Sequence, residues 1–273
     1  MRSLGHSRSA VGALVLAASL ALAALGVTLA GQPSAHAGPA GADLLPDVVV
    51  RPLSEIRIEK SAGVKLLRFA SIIGNRGAGV VELKPDSPSR SADNDCDGDG
   101  DPLNDRQAFQ RVYRDADADG VFTRGVDTVF NRRYAGCSVF HAEHGHWHFE
   151  EFARYRLLRP KTGQAVATSE KVSFCVRDSV RFDATLLGSP AVPHYGDCTQ
   201  DSVTGLSIGW ADYYGSNLPG QELNIRGLPD GRYCLRTWAD PGGRLVESRD
   251  GNNGRSTLVR IEGRTVTDLQ VAC

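Results

Sequence analysis

Four of the seven histidines in this 273-residue chain fall within eight positions: His141, His144, His146 and His148. In extended backbone, side chains two residues apart share a face, so His144, His146 and His148 form one row of imidazoles. Gly145 allows the strand to bend, and Trp147 and Phe149 point the other way, into packing. Three neutral imidazoles converging on one point suit Cu²⁺ or Zn²⁺, and a missing fourth protein ligand leaves a position for water or substrate. His141 is placed to be a further ligand or to support the others. His194 stands apart and reads as a surface or loop residue.

A second group of residues suits a different cation. Ten aspartates and no glutamate lie between Asp93 and Asp127. Two loops share one pattern, Asp93-x-Asp95-x-Asp97-Gly98 and Asp115-x-Asp117-x-Asp119-Gly120, each followed by a further aspartate, Asp105 or Asp127. Alternating aspartates before a glycine aim several hard oxygens at one point, which suits Ca²⁺. Asp115, Asp117, Asp119 and Asp127 are the candidate ligands of the second loop, while Cys96 interrupts the first. Asn104 and Val126 stand where an EF-hand carries glutamate, and no flanking helix is evident, so these are not EF-hands.

The elements that must hold these residues read as strands. Asp47–Val50, Val64–Ile73 and Gly79–Leu83 are β-rich runs ended by turn residues, and Arg232–Trp238 and Ser256–Ile261 follow Pro229-Asp230-Gly231 and Asn252-Asn253-Gly254. No sustained helical periodicity appears after residue 37. The expectation is an all-β, sandwich-like domain with long loops over 47–273, preceded by a short linker at 38–46 and carrying an Asp-rich insertion at 93–127.

Residues 1–37 read as an export signal. Arg2 and Arg8 precede the apolar run Ala10–Ala30, and Ala35-His36-Ala37 offers a small-x-small cleavage site. The expected product is secreted and has no stable membrane insertion. All six cysteines (Cys96, Cys137, Cys175, Cys198, Cys234 and Cys273) lie beyond the signal, which in an oxidising compartment favours three disulfides. Fifteen pairings are open, and the sequential one is the simplest. The formal charge of −1 gives no electrostatic reason to expect nucleic acid as a partner. Lysines number only five against 26 arginines, so each lysine is worth inspecting.

Four segments then occur in a fixed order. His144-x-His146-x-His148 is followed by Phe152-Ala153-Arg154-Tyr155. Next comes Ser169-Glu170-Lys171-Val172-Ser173-Phe174-Cys175-Val176-Arg177-Asp178, and later Gly205-Leu206-Ser207-Ile208-Gly209-Trp210-Ala211-Asp212-Tyr213-Tyr214-Gly215. Together they resemble the catalytic domain of the lysyl oxidase family, from about Asp47 to Ile261 and most strongly from His144 to Asn253. The resemblance implies copper on His144, His146 and His148. It also implies a lysine tyrosylquinone made from Lys171 and Tyr214, the tyrosine next to the glycine rather than Tyr213. Asp212 falls on a motif aspartate and is the candidate base. The implied activity is oxidative deamination of primary amines, peptidyl lysine or small amines, by O₂, yielding an aldehyde, H₂O₂ and ammonia. One departure stands out: Glu143 takes the place of a cysteine that the animal enzymes carry before the histidines, and Cys137 is the nearest upstream cysteine.

A second class of function competes. An extracellular β-module without enzymatic activity would use calcium to stiffen the aspartate loops and the histidines to hold a structural zinc. The Lys171–Tyr214 pair separates the two readings, because a structural zinc has no use for it. A zinc hydrolase with Glu143 or Glu150 as base lacks the helical His-Glu-x-x-His spacing.

Overall fold

The computed structural model describes residues 41–61, 63–86, 95–101, 103–142, 145–169, 173–199 and 202–273. The expected export signal, Asp93, Glu143, His144 and Lys171 lie outside the described residues. Within them the chain forms strands and loops, with no α-helix and one 3₁₀ turn at Asp250–Asn252.

The strands run in the order β1 (Asp43–Leu44), β2 (Val48–Val50), β3 (Ser54–Ser61), β4 (Val64–Asn75), β5 (Val81–Pro85), β6 (Asp105–Arg114), β7 (Phe130–His141), β8 (His146–Phe149) and β9 (Ala153–Leu158). They continue as β10 (Ala165–Thr168), β11 (Val180–Arg181), β12 (Thr204–Leu206), β13 (Trp210–Tyr214), β14 (Glu222–Asn224), β15 (Gly231–Ala239), β16 (Gly254–Glu262) and β17 (Thr265–Asp268). One sheet has the order β12-β5-β6-β7-β8, with β1 added to β6. A second is β10-β9-β15-β16-β17. The third is built around β4, with β13 and β2 on its C-terminal half and β14 and β3 on its N-terminal half. Every ladder joining two strands is antiparallel, as expected of a fold made of hairpins and returning loops.

Alternation explains the packing. In β4, Leu67, Phe69, Ser71 and Ile73 are buried on one face, and from Ala70 both faces begin to close because neighbours flank the strand on each side. Leu67 and Phe69 meet Tyr155 and Leu157 of β9, Leu235 of β15 and Val259 of β16 in the main core. The β4 sheet therefore packs on the β9–β15–β16 sheet as the expected sandwich. A smaller core of Leu44, Val80, Tyr113, Phe122, Tyr195 and Ile208 lies under the β6–β7 loop. The disulfides are Cys96–Cys137, Cys175–Cys198 and Cys234–Cys273, the sequential pairing.

Two boundaries differ from the sequence reading. Asp43 and Leu44, inside the expected linker, pair with Arg114 and Tyr113 of β6. The expected insertion at 93–127 is two loops separated by β6, a central strand whose residues Asp105–Tyr113 pair with β7. Its Arg and Gln residues mask a strand that is largely buried.

Candidate active site

The β7–β8 hairpin holds the histidines. His141 pairs with His146 and Val139 with His148, and the intervening turn has Gly145 at φ +68°, a left-handed conformation that glycine adopts without strain. His146 and His148, two residues apart on β8, share a face as the alternation predicts: their rings are 4.8 Å apart and their Nε2 atoms 2.9 Å apart. His141 joins them from β7, with its ring centroid 4.2 Å from that of His148.

Ser173 ties this group together. Its hydroxyl lies 3.2 Å from His148 Nδ1 and 2.9 Å from His141 Nε2, and it is almost fully buried. With its Nδ1 proton donated to Ser173, His148 presents Nε2 as the acceptor that faces His146. The donor set fits a copper ion. Two nitrogens bound at about 2.0 Å and at right angles lie about 2.8 Å from one another, close to the separation found here. Sequence reasoning missed Ser173, although Ser173 and Cys175 alternate along the motif and so share a face of extended chain.

Phe174, between them, is fixed by a reciprocal backbone pair with Phe149, at 2.7 and 2.9 Å. That pair docks the Ser173–Cys175 segment against the histidine strand. On its other side lies Tyr214 of β13. The Tyr214 hydroxyl donates to the Cys175 carbonyl at 3.0 Å, and its ring stands edge-on to Phe174 at 5.0 Å. Burial, followed by the charge of Asp212, raises the Tyr214 phenol well above its ordinary value.

Asp212, two residues earlier on β13, is 2% exposed. Its Oδ1 accepts from Ser179 Oγ at 2.8 Å, while Oδ2 is buried with no hydrogen-bond partner. Burial pushes its carboxyl up to about 7, against the pull of Ser179, Tyr214 and Arg177. His146, His148, Asp212 and Tyr214 line one cleft of about 510 Å³, with Arg177, Tyr213, Leu218 and Pro219 at its sides. Tyr213 is a rim residue, held by donating to Glu55 at 2.6 Å. A β-bulge in β3 delivers Glu55, which adopts φ +51° and also takes the Ser216 hydroxyl and N–H. Those bonds, led by the one from Tyr213, hold the Glu55 carboxyl down at about 2.

The family model described as lysyl oxidase matches residues 121–271. The chain belongs to the lysyl oxidase family. Over 129 residues it is 33% identical to lysyl oxidase homolog 1 of Homo sapiens, covering 47% of this chain and 21% of that protein. Over 125 residues it is 32% identical to the protein-lysine 6-oxidase of Homo sapiens, covering 45% of this chain and 28% of that one. The Sus scrofa protein-lysine 6-oxidase is 30% identical over 125 residues, 45% of this chain and 47% of its own length. Each match thus spans less than half of the relative, and the segment matched by the family model, 121–271, contains the described histidines, Ser173, Asp212 and Tyr214.

Among the aspartates, one carboxylate oxygen from each of Asp115, Asp117 and Asp127 lies within 4.8 Å of the others. Asp119 is not part of this group; its Oδ1 accepts from the Val121 N–H at 2.9 Å and shapes the turn instead. Glu150 follows the histidine strand and is pushed up to about 7, mainly by burial and then by Asp97. His194 lies in an exposed loop against Tyr195.

Proposed function

We propose that the protein is a secreted, copper-dependent amine oxidase that converts primary amines, peptidyl lysine or small amines, to aldehydes. The balanced reaction is RCH₂NH₂ + O₂ + H₂O → RCHO + NH₃ + H₂O₂. The observation that carries this reading is the meeting of His146, His148, Asp212 and Tyr214 in a single cleft, from segments far apart in the chain. A structural metal site has no need of a buried carboxyl and a half-buried phenol at its edge.

His144, His146 and His148 would hold the copper, and Lys171 with Tyr214 would form the quinone. Copper and quinone, when present, supply the two-electron oxidation and its coupling to O₂. The chain's own groups do the rest. Asp212 carries a buried oxygen without a donor, at a carboxyl poised near neutrality, and so can accept a proton from the carbon beside the amine nitrogen. Leu218 and Pro219 shield an alkyl chain from water, and Tyr213 and Arg177 shape the mouth. With Tyr213 40% and Leu218 39% exposed, the cleft opens to the surface, as a side chain presented by another protein requires.

Export is supported by the signal-like N-terminus and by the three disulfides. Among the described residues no helix is long and apolar enough to cross a membrane. Intact mass and peptide mapping of copper-loaded protein exposed to O₂ test the proposal. A covalent Lys171–Tyr214 peptide, lost in Tyr214→Phe, with amine-dependent peroxide release, is the expected result. Two separate peptides from a fully copper-loaded protein would refute it and favour the metal-stiffened module.

A further inference from the structure

The loop joining β6 to β7 has no part in the amine chemistry, yet it gathers three carboxylates without a counter-charge. One oxygen from each of Asp115, Asp117 and Asp127 comes within 4.8 Å of the others. Asp115 is 0% and Asp127 1% exposed, so two of the three are withdrawn from water. The nearest arginines in sequence turn elsewhere: Arg114 to Asp43 and the Gly41 carbonyl, Arg124 to Glu82 and the Tyr195 hydroxyl. Among the described residues, no lysine or arginine pairs with any of the three aspartates.

Backbone N–H groups satisfy part of the cluster. Asp127 accepts from Ala116 at 2.8 Å and Thr123 at 2.7 Å, one on each oxygen, and Asp115 Oδ2 accepts from Gly120 at 2.9 Å. The other oxygen of Asp115 is buried and has no hydrogen-bond partner. A carboxylate oxygen in that state, beside two further carboxylates, is strongly unfavourable unless a cation accompanies it.

We propose that this loop binds calcium, with Asp115, Asp117 and Asp127 as its carboxylate ligands. An all-oxygen donor set selects a hard cation over copper or zinc. Three carboxylates from one loop suit Ca²⁺ better than Mg²⁺, which demands near-octahedral geometry and keeps most of its water. The first aspartate loop does not share the argument. Its Asp95, Asp97 and Asp99 also converge, but none of the three is fully buried and none holds a buried oxygen without a hydrogen-bond partner.

The site's place in the fold gives its role. The loop closes one end of the β6–β7 hairpin, whereas His141 ends β7 at the other, about 35 Å away along its 12 residues. Calcium there cannot touch the oxidation. It holds the segment that buries Phe122 against Tyr113, ring centroids 4.7 Å apart, and that carries Arg124 to the buried Glu82. The cation is a staple for the smaller core, and the proposal stands whether or not the protein oxidises amines.

The test uses the full secreted chain after chelator treatment. Tb³⁺ titration, read as luminescence sensitised by aromatic side chains near the loop, is followed by displacement with CaCl₂ and, separately, MgCl₂. The expected result is a saturable signal displaced by calcium with a Kd on the order of 0.1 mM, and not by equal magnesium. Calcium should also raise Tm by several degrees. Asp117→Asn, an exposed change that leaves the fold intact, should weaken calcium binding at least tenfold, and Asp115→Asn should do the same. Asp97→Asn should leave the Asp117-dependent site unchanged. Calcium affinity equal to wild type in folded Asp117→Asn, or a signal abolished only by Asp97→Asn, would overturn the proposal, as would no binding up to several millimolar.

Discussion

Ser173→Ala is the most informative single change at the site. The serine hydroxyl is the common neighbour of His148 Nδ1, at 3.2 Å, and His141 Nε2, at 2.9 Å, and the residue is 5% exposed. Without it, the His148 ring loses the Nδ1 bond that fixes its rotation, and His141 loses the same neighbour. Removing the partner that orients a ligating histidine costs about ten- to a hundredfold in metal affinity. That range equals about 1.4–2.7 kcal/mol at 1.36 kcal/mol per decade, comparable to the roughly 1–3 kcal/mol cost of a buried unsatisfied donor. Competition of the copper-free chain against a chromophoric Cu²⁺ chelator at pH 7 measures it, with circular dichroism and a thiol count confirming that the variant is folded and its disulfides closed. Copper affinity within twofold of wild type in a folded Ser173→Ala protein would refute the claim that Ser173 orients the ligand.

Three other expectations concern the frame. Glu247 accepts from Val48 N and Asn253 Nδ2, and burial pushes its carboxyl from 4.5 up to about 7, so the folded state binds its proton more tightly than the unfolded chain. Its contribution to stability is full below pH 4.5 and is lost as pH rises toward 7, by at most about 3 kcal/mol; urea melts of chelator-treated protein should show this slope, and Glu247→Gln should flatten it. Asp178 receives the His194, Tyr195 and Ser207 N–H groups and the Ser207 hydroxyl, between 2.7 and 3.2 Å. Asp178→Asn turns donors toward donors and should cost about 2–4 kcal/mol in urea unfolding. Tyr155→Phe keeps the edge-on contact with Phe69 but removes the hydroxyl that meets Ser71 at 2.7 Å and Gln221 at 3.3 Å, for an expected loss of about 1–2 kcal/mol by the same measurement.

Strands that bury one face and end at strong turns were legible in the sequence. β4, β15 and β16 extend their expected runs by two residues or fewer at each end. β6 was not legible, because its Arg and Gln residues sit in a strand flanked by aspartate loops, and composition there speaks for the loops. Two- and three-residue strands such as β11 and β14 exist only because a long neighbour offers its edge, which no local pattern records. At the site, the spacing of His146 and His148 announced a shared face, and the motif order announced Asp212 and Tyr214. Ser173 escaped notice because a serine becomes meaningful only when the Phe149–Phe174 pair sets it against two imidazoles. Asp119 was expected among the cation ligands by regular spacing, but a turn uses alternate aspartates to cap backbone as readily as to present oxygens.

The Cys175–Cys198 disulfide has a consequence for the order of events during maturation. The Cys175 carbonyl receives the Tyr214 hydroxyl, and the Cys198 carbonyl receives the N–H of Trp147, between the two described histidines of β8. One covalent bond therefore locks the phenol's anchor and the histidine strand's anchor to each other. While its thiols are apart, those two halves are tied only by weaker contacts, and the cleft lacks its fixed width. Closing this disulfide therefore works as an interlock: reducing Cys175–Cys198 releases both anchors of the cleft at once.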